Sequence, residues 1–193
     1  MNNKRFCLSV LLLTMLALGA GGILPVYANT NPTAISEGKP LPSFKMGMAL
    51  SPEMMQYLGL KAGPEFTLSQ IQSKIVVIEV LSALCQECHK NAPRMNKLYN
   101  IISDDPDLNA NVKMLGIAVG NDAKMVAAYQ STYKVKFPIV VDPKEDINKR
   151  LGDPATPTII VVDSKGMVLF IHGGLIDDMD MILDVIRTFV SQK

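Results

Sequence analysis

The segment "KIVVIEVLS", Lys74 to Ser82, is almost wholly apolar and rich in β-branched residues, and it leads within three positions to "CQECH" at Cys85 to His89. A continuous apolar run is the mark of a strand covered on both faces, as in a parallel sheet, because a strand with one wet face would alternate. Helices must then lie on both sides of that strand, so this segment constrains the whole chain. The flanking sequence agrees. "VKMLGIAVG" (Val112 to Gly120), "FPIVVD" (Phe137 to Asp142) and "TPTIIVVD" (Thr156 to Asp163) read as further strands. Helical stretches separate them: about Cys85 to Ile102, broken in its second turn by Pro93; Asn121 to Tyr133, capped by Asn121 or Asp122; and a short one over "KEDINKRLG", ending at Gly152. "SKG" turns the chain into "MVLFIHG", the second arm of a hairpin, and "DDMDMILDVIRTFVSQ" closes it as an amphipathic helix. The expectation is an α/β domain with helices on both faces of a central sheet that ends in an antiparallel hairpin.

A chain of 193 residues suits one such domain plus a leader or tail. Residues 1–28 read as a secretory signal: Lys4 and Arg5, an apolar run from Phe6 to Leu24, then "PVYA" before a cut after Ala28. The apolar run is also long enough to span a bilayer, so an uncleaved anchor is the alternative. Cys7 lies in this leader and goes with it. Residues 29–65 form an N-terminal extension interrupted by Pro32, Pro40, Pro42, Pro52 and Pro64, with one short helix from Pro52 to Leu58 capped by Ser51. Residues 66–193 form the domain proper. Losing the leader removes two of the 19 basic residues and none of the 18 acidic ones, which leaves a net charge of −1. That balance points to no nucleic-acid partner and no polybasic membrane contact.

Cys85 and Cys88 are then the only cysteines of the exported protein. A lone close pair in an oxidising compartment is a candidate for chemistry, since closing so short a loop removes little unfolded-state entropy. Its position, after a buried strand and at the start of a helix, sets the first thiol beside free backbone N–H groups at the positive end of the helix dipole. These favour the thiolate, which is the nucleophile of disulfide exchange.

Four features together resemble the thioredoxin superfamily, and within it the exported TlpA-like or ResA-like thiol-disulfide oxidoreductases. They are the strand-CxxC-helix junction; Pro93, five residues after Cys88; Glu79, six residues before Cys85; and "ATPT", in which Thr156-Pro157 precedes a strand. The resemblance covers roughly residues 38–190. It implies a thioredoxin fold, a central mixed sheet flanked by helices, with a TlpA-like helix-strand insertion between the CxxC and Pro157. It also implies roles. Cys85 is the attacking thiolate and Cys88 the resolving thiol. Glu79 is a buried acid that relays the proton of Cys88, and Thr156 with a cis Pro157 forms the loop that holds an extended substrate segment. The redox-active disulfide Cys85–Cys88 takes the place of any cofactor. Implied partners are protein thiols or disulfides and a membrane electron donor or acceptor, with the protein a monomer in the periplasm or another extracytoplasmic space. Leu84 stands where thioredoxins carry Trp, and Gln86 and Glu87 fill the pair; an acidic Glu87 there works against the thiolate.

Two other chemistries claim the same letters. CxxCH is a c-type haem attachment signature, with His89 as one axial ligand and His172 or a methionine as the other. A peroxiredoxin-like peroxidase would share the strand order, but its PxxxTxxC loop is half matched, with Ser82 three before Cys85 and Ile78 in the proline position. Met46, Met48, Met54 and Met55 carry soft thioether ligands, though methionine is a common filler of cores. His172 reads as an ordinary residue near a strand end.

Overall fold

The computed structural model describes residues 35–47 and 50–191. The expected leader with Cys7, and Met48, lie outside the described residues. In chain order the elements are β1 (Met46–Gly47), α1 (Pro52–Leu58), β2 (Glu65–Phe66), β3 (Ile75–Leu81), α2 (Gln86–Asp104), α3 (Pro106–Asn111), β4 (Val112–Val119), α4 (Ala123–Tyr133), β5 (Ile139–Asp142), α5 (Asp146–Arg150), β6 (Thr158–Asp163), β7 (Val168–Gly173) and α6 (Met179–Ser191). A five-stranded sheet has the order β5-β4-β3-β6-β7. β3, β4 and β5 run parallel, while β6 and β7 are antiparallel to their neighbours, so the sheet is mixed. This is a thioredoxin-type α/β architecture, in which α4, β5 and α5 lie between β4 and β6.

All seven residues of β3 are buried, because it is the middle strand and both of its faces are covered. Alternation along the strand sends Ile75, Val77 and Leu81 into one core with Met95 and Leu98 of α2, Val126 of α4 and Ile182 of α6. It sends Val76, Ile78 and Val80 into a second core with Phe44, Met46, Leu58, Phe66 and Ile147. The segment expected to be an extended lead-in thus supplies much of one face. Gly38 and Leu41 donate backbone hydrogen bonds to Val168 and Gly166, and the Met46 and Phe66 positions pair in a two-stranded ribbon. Met46 is fully buried in this layer, and Met54 and Met55 are half-buried, in keeping with packing.

Two details differ from the sequence reading. α2 is not broken at Pro93 but runs unbroken to Asp104. Pro93 lies on the exposed side, while Cys88, Ala92, Met95 and Leu98 bury the opposite stripe, and that apolar contact outweighs the one helical bond a proline forfeits. The second is α3, a separate short helix begun at Pro106, whose cap Asp105 accepts from the N–H groups of Asp107 and Leu108.

Candidate active site

β3 ends at Leu81, and the turn that follows is closed by the Cys85 N–H donating to the Ser82 carbonyl at 3.1 Å. Cys85 is the N-cap of α2, with extended backbone, and its Sγ accepts the Cys88 N–H at 3.2 Å. A cysteine thus stands where Ser or Asp commonly caps, and its sulfur takes up one of the orphan donors of the helix. Both thiols are free; Cys85 is half-buried and Cys88 fully buried. Partial burial alone would push the Cys85 thiol up. Hydrogen bonds from the Cys88 and Thr156 side chains and from the N–H groups of Cys88 and Glu87 outweigh that, and its pKa falls below the ordinary thiol value. Cys88 goes the other way: burial, then its bond with Cys85, pushes it up to about 12. Two thiols one helical turn apart are thereby split into a ready nucleophile and a reserve.

Across from Cys85 lies the loop before β6. The Thr156–Pro157 peptide bond is cis, and Pro157 is buried. The protonated Cys85 thiol donates to the Thr156 carbonyl at 3.3 Å, so Cys85 and the Thr156-Pro157 loop meet in space although 71 positions separate Cys85 from Thr156.

Glu79 points from β3 toward α2, on the face of Val77 and Leu81, and is 1 % exposed. Its Oε1 accepts from the Asn91 Nδ2 at 2.9 Å. Burial raises its pKa to about 7, against which the Asn91 bond acts. The neighbouring position on β4 is Gly116, where an added Cβ would lie 2.8 Å from Ile139 Cγ1, so only glycine fits beside the carboxyl.

Sequence reasoning missed three residues around this centre. Asn121 is not the cap of α4, a task Asp122 performs by accepting the Met125 N–H at 2.8 Å. Instead Asn121, fully buried, accepts the Ala83 N–H at 2.7 Å and pins the loop ahead of Cys85. β3 and β4 are parallel neighbours, so the residues just past their C-terminal ends share one edge, a signal that topology could have supplied. Tyr129 of α4, also buried, donates its hydroxyl to the Cys88 carbonyl at 3.0 Å. Asn91 is the third; it lies one turn beyond Cys88 on the buried stripe of α2, where a polar residue in an apolar row is itself the signal.

The other candidate residues lie as follows. His89 Nε2 is 2.8 Å from the Ala83 carbonyl and its ring stacks on Tyr133, so it braces the loop. His172 Nε2 meets the Leu175 carbonyl at 2.6 Å. The carboxylate of Glu87 pairs with Lys90 at 2.7 Å in the open, while its backbone N–H serves Cys85, so the residue helps the thiolate through its main chain. Ile78 is inside β3. Among the described residues no cluster of His, Cys, Asp and Glu could hold a metal ion, and no helix is long and apolar enough to cross a membrane.

The family model for Redoxin matches residues 36–178. The chain belongs to the Redoxin family. It is 28% identical over 174 residues to the thiol-disulfide oxidoreductase ResA of Geobacillus thermodenitrificans, with 89% of this chain and 88% of that protein covered. It is 25% identical over 183 residues to the thioredoxin-like protein YneN of Bacillus subtilis, with 92% and 95% covered. Among solved structures, the fold is similar to a putative thiol:disulfide interchange protein DsbE from Chlorobium tepidum, at TM-score 0.64 and 16% identity over 82% of this chain and all (100%) of that one. StoA from Bacillus subtilis is similar at TM-score 0.55 and 17% identity, over 76% of this chain and 98% of that one. This kinship places the redoxin among the thiol-disulfide oxidoreductases, as the resemblance implied.

Proposed function

We propose that this redoxin is an exported reductase of protein disulfides that works through the Cys85–Cys88 pair. The observation that carries the reading is the asymmetry at the start of α2: Cys85, the N-cap, has its thiolate favoured by donors, while Cys88 is buried with its pKa at about 12. In the reaction the Cys85 thiolate attacks one sulfur of a substrate disulfide; the Cys85–substrate bond forms and the second substrate sulfur leaves as a thiolate. Glu79, as carboxylate, accepts the proton of Cys88. The Cys88 thiolate then attacks Cys85 Sγ, the Cys85–Cys88 bond forms, and the first substrate sulfur leaves as a second thiolate. Two electrons have passed from the dithiol to the substrate, whose thiolates take up protons from solvent. A carboxyl with a pKa near 7 suits both halves of this proton relay at neutral pH. The backbone of the Thr156-Pro157 loop, opposite Cys85, holds the extended substrate segment.

Export rests on the leader over residues 1–28, and in that setting the spent disulfide is reduced again by a membrane-bound dithiol donor, with the redoxin acting as a monomer. The peroxidase reading finds less support here, since Ile78 is locked within a central strand where that chemistry wants a proline in a loop. The haem reading finds little too, because Nε2 of His89 is engaged by the Ala83 carbonyl.

The test uses the purified reduced protein and a peptide disulfide. The expected outcome is stoichiometric reduction of the peptide with loss of both protein thiols, a Cys88→Ala variant that stalls as a mixed disulfide through Cys85, and an inert Cys85→Ala variant. Fast peroxide turnover by Cys88→Ala, with no mixed disulfide, would overturn the reading. Equilibration against glutathione with thiol alkylation fixes the direction: a potential more reducing than the glutathione couple supports a reductase, and a more oxidising one assigns the opposite flow.

A further inference from the structure

Asn91 is fully buried and joins three elements. Its Nδ2 donates to Glu79 Oε1 of β3 at 2.9 Å, and its Oδ1 accepts the N–H of Ile176, in the loop between β7 and α6, at 3.1 Å. The second bond settles the first. A backbone N–H only donates, so the amide oxygen must face Ile176 and the NH₂ group must face Glu79. Glu79 Oε1 therefore meets a donor in either state of the carboxyl. An oxygen already accepting from an amide is a poor place for a proton, so the acid form of Glu79 carries its hydrogen on Oε2. The same loop is tied to the substrate side, because the N–H of Gly174 donates to the Pro157 carbonyl at 2.8 Å.

We infer that Asn91 is the positioning residue of this site: locked by Ile176, it holds Oε1 of Glu79 as an acceptor, confines the exchangeable proton to Oε2, and favours the ionised carboxyl that receives the proton of Cys88. This deepens the proposed proton relay and rests on it. A donor to the charged form lowers a carboxyl pKa, and the bond acts in that direction against the burial that raises Glu79. The titratable group that couples to Glu79 is Tyr129 of α4, which also feels Cys88 and Cys85 of the α2 start and Tyr133 of its own helix. The adjoining positions on β4 and β6 are Gly116 and Ile159, and the loop presents Ile176, none of which titrates.

The experiment follows the reduced protein with dithiobis-nitrobenzoate, which reports two releases of coloured thiolate. The first marks attack by Cys85 on the reagent; the second marks attack by Cys88 on Cys85 Sγ, with the Cys88 proton passing to Glu79 Oε2. The rate of the second release is measured between about pH 5 and 9, spanning the carboxyl titration. In the Asn91→Leu variant the midpoint of that profile moves up by about one pH unit, since a hydrogen bond to a charged group is worth about that much, and Glu79→Gln abolishes the midpoint in both backgrounds. If Glu79→Gln leaves the profile of the unaltered protein in place, the relay itself fails. If Glu79→Gln flattens it but Asn91→Leu superimposes on the unaltered protein, the relay stands and the role of Asn91 is overturned. A second measurement needs no variant: in the unaltered protein the Asn91 side-chain amide protons shift in NMR with the same midpoint as the Glu79 carboxyl carbon. An amide signal that ignores the Glu79 titration overturns the inference even where Asn91→Leu does not fold.

Discussion

Among the described residues two carboxyls are buried, Glu79 within β3 and Asp142 at the end of β5, and they are treated in opposite ways. Asp142, at the end of β5 and 4 % exposed, has both oxygens engaged by backbone donors, Oδ1 by the Ile147 N–H at 3.2 Å and Oδ2 by the Asn148 N–H at 2.9 Å. Glu79, in β3, has Oε1 bonded to the Asn91 side chain, its one side-chain hydrogen bond among the described residues. Asp142 is a fastening for the start of α5, with its acceptor capacity directed at orphan helix donors. Glu79 keeps Oε2 without a hydrogen bond among the described residues, on the face of the sheet where Cys88 packs. A buried acid whose capacity is filled by the backbone serves the fold, while one left partly unfilled beside a reactive group is placed to exchange a proton.

The first prediction attacks the fastening. Asp142→Ala strips the acceptor from two buried N–H groups, each costing about 1–3 kcal/mol when left unsatisfied, so stability falls by about 4 kcal/mol. Urea denaturation of the reduced protein measures it, and the second-release kinetics of the folded fraction stay as in the parent. A loss below about 1 kcal/mol would show that α5 starts without Asp142.

The second prediction has the opposite sign. The folded pKa of Glu79, about 7, lies above its ordinary 4.5, so the native state binds more protons than the unfolded chain between those values. Its contribution is therefore fully present below about pH 4.5 and is lost as pH rises through 7. Glu79→Gln, which stays neutral and still accepts from Asn91, should be more stable than the parent by about 3 kcal/mol at pH 8 and equal to it near pH 4. Resolution by Cys88 should slow by about 10²-fold at neutral pH, the usual contribution of a general base. Stability gained together with activity lost is what separates this carboxyl from Asp142. A Glu79→Gln variant destabilised at pH 8 would make the two carboxyls alike.

What was legible in the sequence follows the same division. Ile75 to Leu81 announced a doubly covered strand because apolar and β-branched residues fill every position but Glu79, and the family resemblance marked that exception as the acid. The helix start at about Cys85, the Thr156-Pro157 loop and a mixed sheet ending in an antiparallel hairpin followed from local patterns and one family resemblance. Asn91, a polar residue on the apolar stripe of α2, and Asn121, just past a strand end, stood out by position, but their partners Ile176 and Ala83 were not legible, being 85 and 38 positions away. The β1–β2 ribbon was hidden for a similar reason: two residues a side have no alternation to read, and the pairing of Met46 with Phe66 is decided by their shared burial against the sheet. Pro93 misled because its cost to the helix is local, while the stripe that offsets it spans Cys88 to Ile102.

The smallest effect tests whether closeness to the thiols is enough to make a buried polar group part of the chemistry. Tyr129 lies near Glu79 and both cysteines, and burial raises its hydroxyl far above the ordinary tyrosine value, so it stays a neutral donor throughout the working range. Its one evident task is the 3.0 Å bond to the Cys88 carbonyl, which ties α4 to the first turn of α2. On that geometry Tyr129 resembles Asp142, a fastening whose capacity is spent on the backbone. Tyr129→Phe keeps the ring, its packing and its contact with His89, and removes one neutral hydrogen bond worth about 1 kcal/mol. Urea denaturation should report that loss at pH 5 and pH 8 alike, because no titration is involved, and the pH midpoint for the second thiolate release should stay with the parent. If the midpoint moves while stability does not, Tyr129 belongs with Glu79, and the division must be drawn by distance from the sulfurs instead of by what each polar atom is bonded to.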